Sequence, residues 1–414
     1  MSAPAPGPGG APAGGAEEAP APPAFGRAMR SEWALDPDVT YLNHGTVGCT
    51  PRRVLAAQQA IRDAIERQPS RFLLRELAQV RVGGPRAAPP RMRVAAAEVA
   101  AFLGARGDDL VFVDNATAGV NAVLRSLELG AGDEILLTDH TYGAVANVAA
   151  FVARRAGALV RTVELPFPWT DAGAFVRAVA AAVGPRTRVV VLDHITSASA
   201  LLLPVADLAA ACRARGAAVL VDGAHAPGAV PLDVPAAGGD WYTGNLHKWA
   251  WAPRSAAFLW APPERQAGLH PPVVSWGLDQ GFAAEFDLVG TRDPSPWLAA
   301  PAGIALLRAL GAERVRAWNH ALAWEGARWL ARRLGTEFTT PEAMIGTMAT
   351  VPLPDALGST PEDAAALRDA LLEEERIEVQ LHEHRGRLWV RICGQVYVEM
   401  ADVERLGEAL ARRA

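Results

Sequence analysis

The chain has 414 residues, half of them hydrophobic, and a formal net charge of −5. This is long enough for a large domain and a smaller one, offers no basic field for nucleic acid, and contains no apolar run of membrane-spanning length. Its three cysteines, Cys49, Cys212 and Cys393, make no disulfide framework and suit a reducing cytoplasm.

Residues 1–27 are mostly Ala, Pro and Gly, with too little apolar bulk to fold, and are expected to be a disordered tail rather than a signal peptide. Order is expected from about Trp33. The segment YLNHGTVGCTP, 41–51, reads as an extended piece breaking into a glycine-rich turn, followed by a helix over 52–66. The arginine-rich stretch 68–90 predicts a loop or short helices.

From residue 92 the pattern alternates. Helices are predicted over 92–103, 117–129, 144–156, 171–183 and 205–215. Strands fall at 110–113, 134–138, 159–163, 188–193, 217–221 and 240–243. Such alternation means a mostly parallel sheet covered on both faces. One more strand, 255–260, is expected to be antiparallel. A long helical connector over 297–334 then leads to a strand at 347–351, a helix at 361–375, a hairpin of 378–382 with 387–392, and a closing helix at 402–412. The expected organisation is a tail (1–27), an arm with a large α/β domain (28–296), and a connector with a small α+β domain (297–414).

The chemistry concentrates at strand ends, where open α/β sheets place ligands. Asp222 ends one strand, and Lys248 follows the next, in GNLHKW. Each alone reads as an ordinary turn or surface residue. Together they suit pyridoxal 5′-phosphate (PLP), which needs a lysine to hold it as a Schiff base and a carboxylate beside its pyridine nitrogen. NATAGVN, 115–121, opens a helix after a strand. There Thr117 is either a plain N-cap or a phosphate contact. Tyr142 in TDHTYGAV can stack on a ring, with His140 as its competitor. Ser197 and His225 are candidates for the cofactor's phenolic oxygen. Arg391, within an apolar strand, needs an anion. A substrate carboxylate or a nearby glutamate such as Glu399 would serve.

YLNHG, NATAGVN, YGA, VDGAHA, GNLHKW, GTRDPS and VRICGQVY occur in that order. Together they resemble the class V aminotransferase family of fold-type I PLP enzymes, and within it the isopenicillin N epimerase-like subgroup. The resemblance implies a seven-stranded, mostly parallel large domain with a smaller C-terminal domain. It implies that Lys248 binds PLP and moves the α-proton, that Asp222 pairs with the pyridine nitrogen, that His225 and Ser197 lie near the phenolic oxygen, and that Tyr142 stacks. Ala116, Thr117, Asn245 and His247 would hold the phosphate. Thr291 would reach a neighbouring subunit's phosphate site, implying a homodimer. Arg391, Asn43 and His44 would face an amino-acid-like substrate, with His44 or Tyr142 as a second base. The reaction implied is epimerisation, with β-elimination or transamination as alternatives. A ligand-binding protein of the same fold is the non-catalytic alternative. Cys393 and Val398 depart from the family pattern beside Arg391. No cysteine lies between Arg376 and Arg391, which disfavours a persulfide-forming desulfurase. His382 and His384 have metal-pair spacing but no third ligand apparent in the sequence, so they are read as part of a solvated turn, with no metal expected.

Overall fold

A computed structural model describes residues 24–78, 88–168 and 171–414. Most of the expected tail, and residues 79–87 of the arginine-rich stretch, lie outside the described residues. Among these residues the chain forms a short strand β1 (Thr40–Tyr41) and then the strands of a large sheet: β2 (Leu110–Val113), β3 (Glu134–Thr138), β4 (Leu159–Val163), β5 (Thr187–Asp193), β6 (Ala218–Asp222), β7 (Trp241–Asn245) and β8 (Ala257–Trp260). After them come β9 (Met348–Pro352), β10 (Ile377–Glu378), β11 (Gln380–His384) and β12 (Arg387–Cys393).

The large sheet has the order β2-β8-β7-β6-β5-β3-β4. β8 runs antiparallel to both neighbours, and the other pairings are parallel. The expected seven-stranded sheet is therefore present. Alternation along each strand explains why both faces are covered. Leu110, Phe112, Leu136, Val190, Leu192, Val219 and Val221 join one core cluster, while Val111, Val113, Ile135, Leu137, Val189, Val191 and Leu220 join another. The edge strand β4 alone is largely exposed.

The smaller sheet, β11-β12-β9, is antiparallel and packs on its own apolar cluster. Its hairpin turns at Arg385 and Gly386, both with positive φ, as the sequence predicts.

Three expectations need correction. The hairpin's first strand is Gln380–His384, shifted from 378–382, because Ile377 and Glu378 pair instead with Thr40 and Tyr41. The helical connector is broken into Ser295–Leu298, Ala300–Ala309 and Ala312–Leu334, with Gly311 at φ 81° between the last two. Structure also begins before Trp33. A 3-10 helix spans Arg27–Glu32, the Gly26 amide donates to the Val396 carbonyl at 2.7 Å, and Phe25 packs edge-on against Trp318. Local composition cannot reveal these contacts because their partners are hundreds of residues away.

Candidate active site

Parallel strands bring their carboxyl ends to one side of the sheet. β6 ends at Asp222, and its in-register neighbour on β5 is Asp193. β7 runs into the turn that carries Lys248, β2 leads to the helix Ala116–Ser126, and β3 leads to His140 and Tyr142. Arg391 on β12 and Gln380 on β11 close the space from the smaller sheet. These residues, with Thr46, Asn115, Thr117, Ser197, His225, Asn245 and His247, line a cavity of about 520 Å³.

Lys248 is buried, and its Nζ lies 3.1 Å from His225 Nε2. Burial, assisted by the Arg391 charge, pushes the Lys248 amine down to about 7. Burial and the Lys248 charge also hold His225 well below the ordinary histidine range, so its imidazole is neutral and can accept from an ammonium. Asp222 takes the Ala224 amide at 2.9 Å. Burial raises its carboxyl above the usual range, and Asp193 is raised by burial and by the Asp222 charge beside it.

At the other end of the cavity, the helix Ala116–Ser126 starts with Asn115 Oδ1 accepting from the Ala118 amide. Asn245 Oδ1 accepts from the Ala116 amide at 2.9 Å, which ties the helix start to the end of β7. Thr117 and His247 reach the cavity beside this junction. Tyr142 is 48% exposed and lines the mouth, whereas His140 is buried with Nδ1 2.7 Å from Ser199 Oγ. Both candidates for the ring face therefore border the cavity.

Arg391 is fully buried. Its Nη1 donates to the Ser197 carbonyl at 2.6 Å, and its Nη2 to Thr46 Oγ1 at 2.7 Å and Asn43 Oδ1 at 3.3 Å. Among the described residues no carboxylate lies within ion-pair range of it. Glu399 instead accepts from the Arg27 amide and caps the helix Met400–Ala411. The alternative of an Arg391–Glu399 pair is thus excluded, and the cation faces the cavity without an anion.

The structure corrects the reading of His44. It is buried, with Nδ1 2.8 Å from Tyr397 Oη and Nε2 3.0 Å from the Lys248 carbonyl. Both ring nitrogens are engaged, so it cannot serve as a base. Asn43 is spent on Arg391 and Glu378. The residue of this turn that lines the cavity is Thr46. Gly48 closes the turn at φ 70°, where an added Cβ would collide with the His247 carbonyl, so only glycine lets the turn approach the Lys248 loop this closely. Thr291 is exposed and does not line this chain's cavity. The sequence reading missed Asp193, Thr46 and Gln380.

A buried amine, a buried carboxylate lacking a cation, an arginine lacking an anion and an unpartnered His225 Nδ1 all converge on one space. That donor set fits a PLP molecule carrying an amino acid. Known proteins agree with it. The model of the Aminotransferase class-V family matches residues 85–381. The chain belongs to the class V aminotransferase family. It is 35% identical to isopenicillin N epimerase of Streptomyces clavuligerus, covering 92% of this chain and 96% of that one. It is 33% identical to a probable chloroplastic L-cysteine desulfhydrase of Arabidopsis thaliana, covering 91% and 83%. Among solved structures, apo cysteine desulfurase from Thermococcus onnurineus NA1 superposes with a TM-score of 0.74 at 19% identity, covering 94% and 98%. A mutant of C-DES with glycine covalently linked to its PLP cofactor gives 0.74 at 22%, covering 93% and 99%. This class V member is a PLP-dependent enzyme. No helix among the described residues is long and apolar enough to cross a membrane.

Proposed function

We propose that this class V enzyme acts at the α-carbon of an amino acid or amino-acid-derived substrate, removing the α-proton and returning it on the opposite face. The observation that carries the reading is the cavity in which Lys248, with an amine that titrates near neutrality, sits between the buried Asp222 and the anion-free Arg391.

When bound, PLP supplies an electron sink for the pair left behind as an α-carbon bond breaks. Asp222 keeps its ring nitrogen protonated. Ala116, Thr117, Asn245 and His247 hold the phosphate at the helix start, while Ser197 and His225 attend the phenolic oxygen. Arg391 grips the substrate carboxylate and fixes the Cα–H bond relative to Lys248. Lys248, relieved of its charge by burial and by Arg391, takes the α-proton as general base, and His225 Nε2 is positioned to share it. Tyr142, at the cavity mouth, supplies the opposite-face proton. The two relatives identical at about a third of positions, an epimerase and a desulfhydrase, carry different activities on one fold family, so likeness alone does not choose the step after proton removal.

A second reading, β-elimination of a sulfur substituent, is favoured by one observation: with His44 engaged at both ring nitrogens, the opposite-face proton rests on the half-exposed Tyr142 alone, and elimination needs only one base. We further infer a homodimer in a reducing, cytoplasmic setting. Thr291 is exposed outside its own cavity, and Val273, Val274 and Trp276 form an exposed apolar run, with Trp276 at 76%. All three cysteines are free.

The test is incubation with a panel of L-amino acids and cysteine conjugates in deuterated water, followed by chiral separation and assays for pyruvate and sulfide. Deuterated products of inverted configuration are expected. Pyruvate and sulfide without inversion would assign elimination. Absence of both products and of Cα deuteration would leave a binding protein.

A further inference from the structure

His382 and His384 stand two apart on β11, so their side chains leave the same face of the small sheet. That face meets the loop after β3. The His384 and His140 rings lie 5.0 Å apart between centroids. Asp139 joins them, and one ligand atom from each of Asp139, His140 and His384 lies within 4.8 Å of the others. The third ligand that the sequence did not reveal thus comes from the large sheet.

Two observations point to a missing partner. His140 Nε2 and His384 Nε2 are both buried, and neither has a hydrogen-bond partner; the His140 side chain is 2% exposed. Asp139 Oδ1 is 3.8 Å from His140 Nε2, too far for a hydrogen bond. The other His140 nitrogen is already fixed. Nδ1 meets Ser199 Oγ, which in turn meets Thr196 Oγ1 at 2.7 Å. With Nδ1 donating to Ser199, Nε2 presents its lone pair, the outer-shell arrangement that orients metal-ligating imidazoles. The rings of His140 and His384 are tilted by 34° to one another. Phe167 packs edge-on against both rings, at 5.1 and 5.5 Å.

We propose that Asp139, His140 and His384 form a site for a divalent first-row transition cation of the Zn²⁺ type, joining the loop after β3 to the β11–β12 hairpin. Two imidazoles and one carboxylate form a borderline donor set that suits such cations, whereas Ca²⁺ and Mg²⁺ require more oxygens. Water fills the remaining positions. His384, half-buried near the hairpin turn, is the member that closes the distance. A cavity of about 300 Å³ lined by Phe167, His384 and Arg385 gives the ion its path. Arg385 is the competitor. Its Nη2 donates to Asp139 Oδ2 at 2.7 Å and to the Leu165 carbonyl at 3.1 Å, and its charge opposes a cation on the same carboxylate. His140 also lines the large cavity, so the ion would stiffen one wall of the reaction site.

The test uses the full chain saturated with PLP, freed of metal by a chelator and desalted. Co²⁺ is titrated in as a spectroscopic probe, with Zn²⁺ as its competitor. The expected result is saturable uptake of one Co²⁺ per chain, with ligand-field absorbance at longer wavelength than the cofactor band, displaced by Zn²⁺. Zn²⁺ should also raise the thermal midpoint. His384→Gln and Asp139→Asn each remove a direct ligand and should weaken uptake by at least about tenfold, the smallest loss expected even for an outer-shell partner. Arg385→Gln should strengthen it. A wild-type chain that takes up neither ion overturns the proposal without recourse to any variant. Undiminished uptake by His384→Gln with a native circular dichroism spectrum overturns it as well.

Discussion

Asp193 and Asp222 sit directly opposite one another at the ends of adjacent parallel strands, both buried. Two carboxylates so placed cannot both ionise cheaply, and burial together with the Asp222 charge pushes Asp193 well above the usual carboxylate range. A carboxyl raised in the folded state gives stability below its unfolded pKa of about 3.9 and loses it as pH rises toward the folded value. In the cofactor-free chain, Asp193→Asn is therefore expected to raise the thermal midpoint at neutral pH by about 2 °C. The gain should vanish below about pH 3, where the Asp193 carboxyl is protonated in the folded and unfolded chain alike. Thermal scans across that range check it; a gain independent of pH would contradict the shared-proton account.

The two carboxylates should separate in catalysis. Asp222→Asn removes the charge opposite the ring nitrogen and is expected to lower turnover by roughly 10²–10⁴-fold, the scale of a lost proton-directing group. Asp193→Asn leaves the Asp222 carboxylate in place and should cost less than about tenfold. Steady-state rates of the two variants on one substrate decide it. Equal losses would mean that Asp193, not Asp222, faces the cofactor.

Lys248 gives a pH signature. Only the free amine can attack the PLP aldehyde, and burial with Arg391 brings that amine to about 7. The rate at which the cofactor-free chain takes up PLP, followed by absorbance, should climb with pH and level off above that value. Arg391→Gln removes a repulsive charge and should move the midpoint upward. By linkage, a lysine depressed below its unfolded value of about 10.4 adds stability above that value and loses it as pH falls to about 7. Lys248→Met should flatten this slope.

The sequence made the strand ends readable because parallel β-strands with helices between them leave a strict alternation, and because Asp222 and Lys248 stand at abrupt ends of apolar runs. Asp193 stands at such an end too, yet its meaning depends on β5 lying beside β6, a fact of sheet order rather than of spacing. His44 misled for the opposite reason. It sits inside a recognisable motif, but the turn closed by Gly48 points its ring inward. His140 and His384 come from different sheets, so nothing local could join them. Thr46 was hidden next to Asn43, since the short helix His44–Val47 decides which of the two faces the cavity.

Arg391 should act on binding more than on chemistry. Its planar fork already spends donors on Ser197, Thr46 and Asn43, which aim what remains at the cavity. Lysine keeps the charge and loses the fork. Arg391→Lys is expected to raise KM for amino acids at least about tenfold, near 1.4 kcal/mol, with a smaller effect on kcat. Substrate analogues lacking the carboxylate should bind both enzymes alike. A KM unchanged by the substitution would remove Arg391 from the substrate site.

His44 links Tyr397 to the backbone of Lys248. The Lys248 carbonyl can only accept, so Nε2 carries the ring proton and Nδ1 accepts from the Tyr397 hydroxyl. The imidazole, pushed by burial down to about 4, stays neutral through the working range. Its part is to hold the peptide from which the reactive amine projects. Tyr397→Phe leaves a buried acceptor unpaired and is expected to cost about 1–3 kcal/mol in urea unfolding. The pH dependence of turnover should keep its shape, because no titrating group of the reaction is lost. His44→Gln should likewise lower stability while Cα deuterium exchange continues. If exchange stops in His44→Gln and stability is untouched, the ring is moving protons after all and the holding role is wrong.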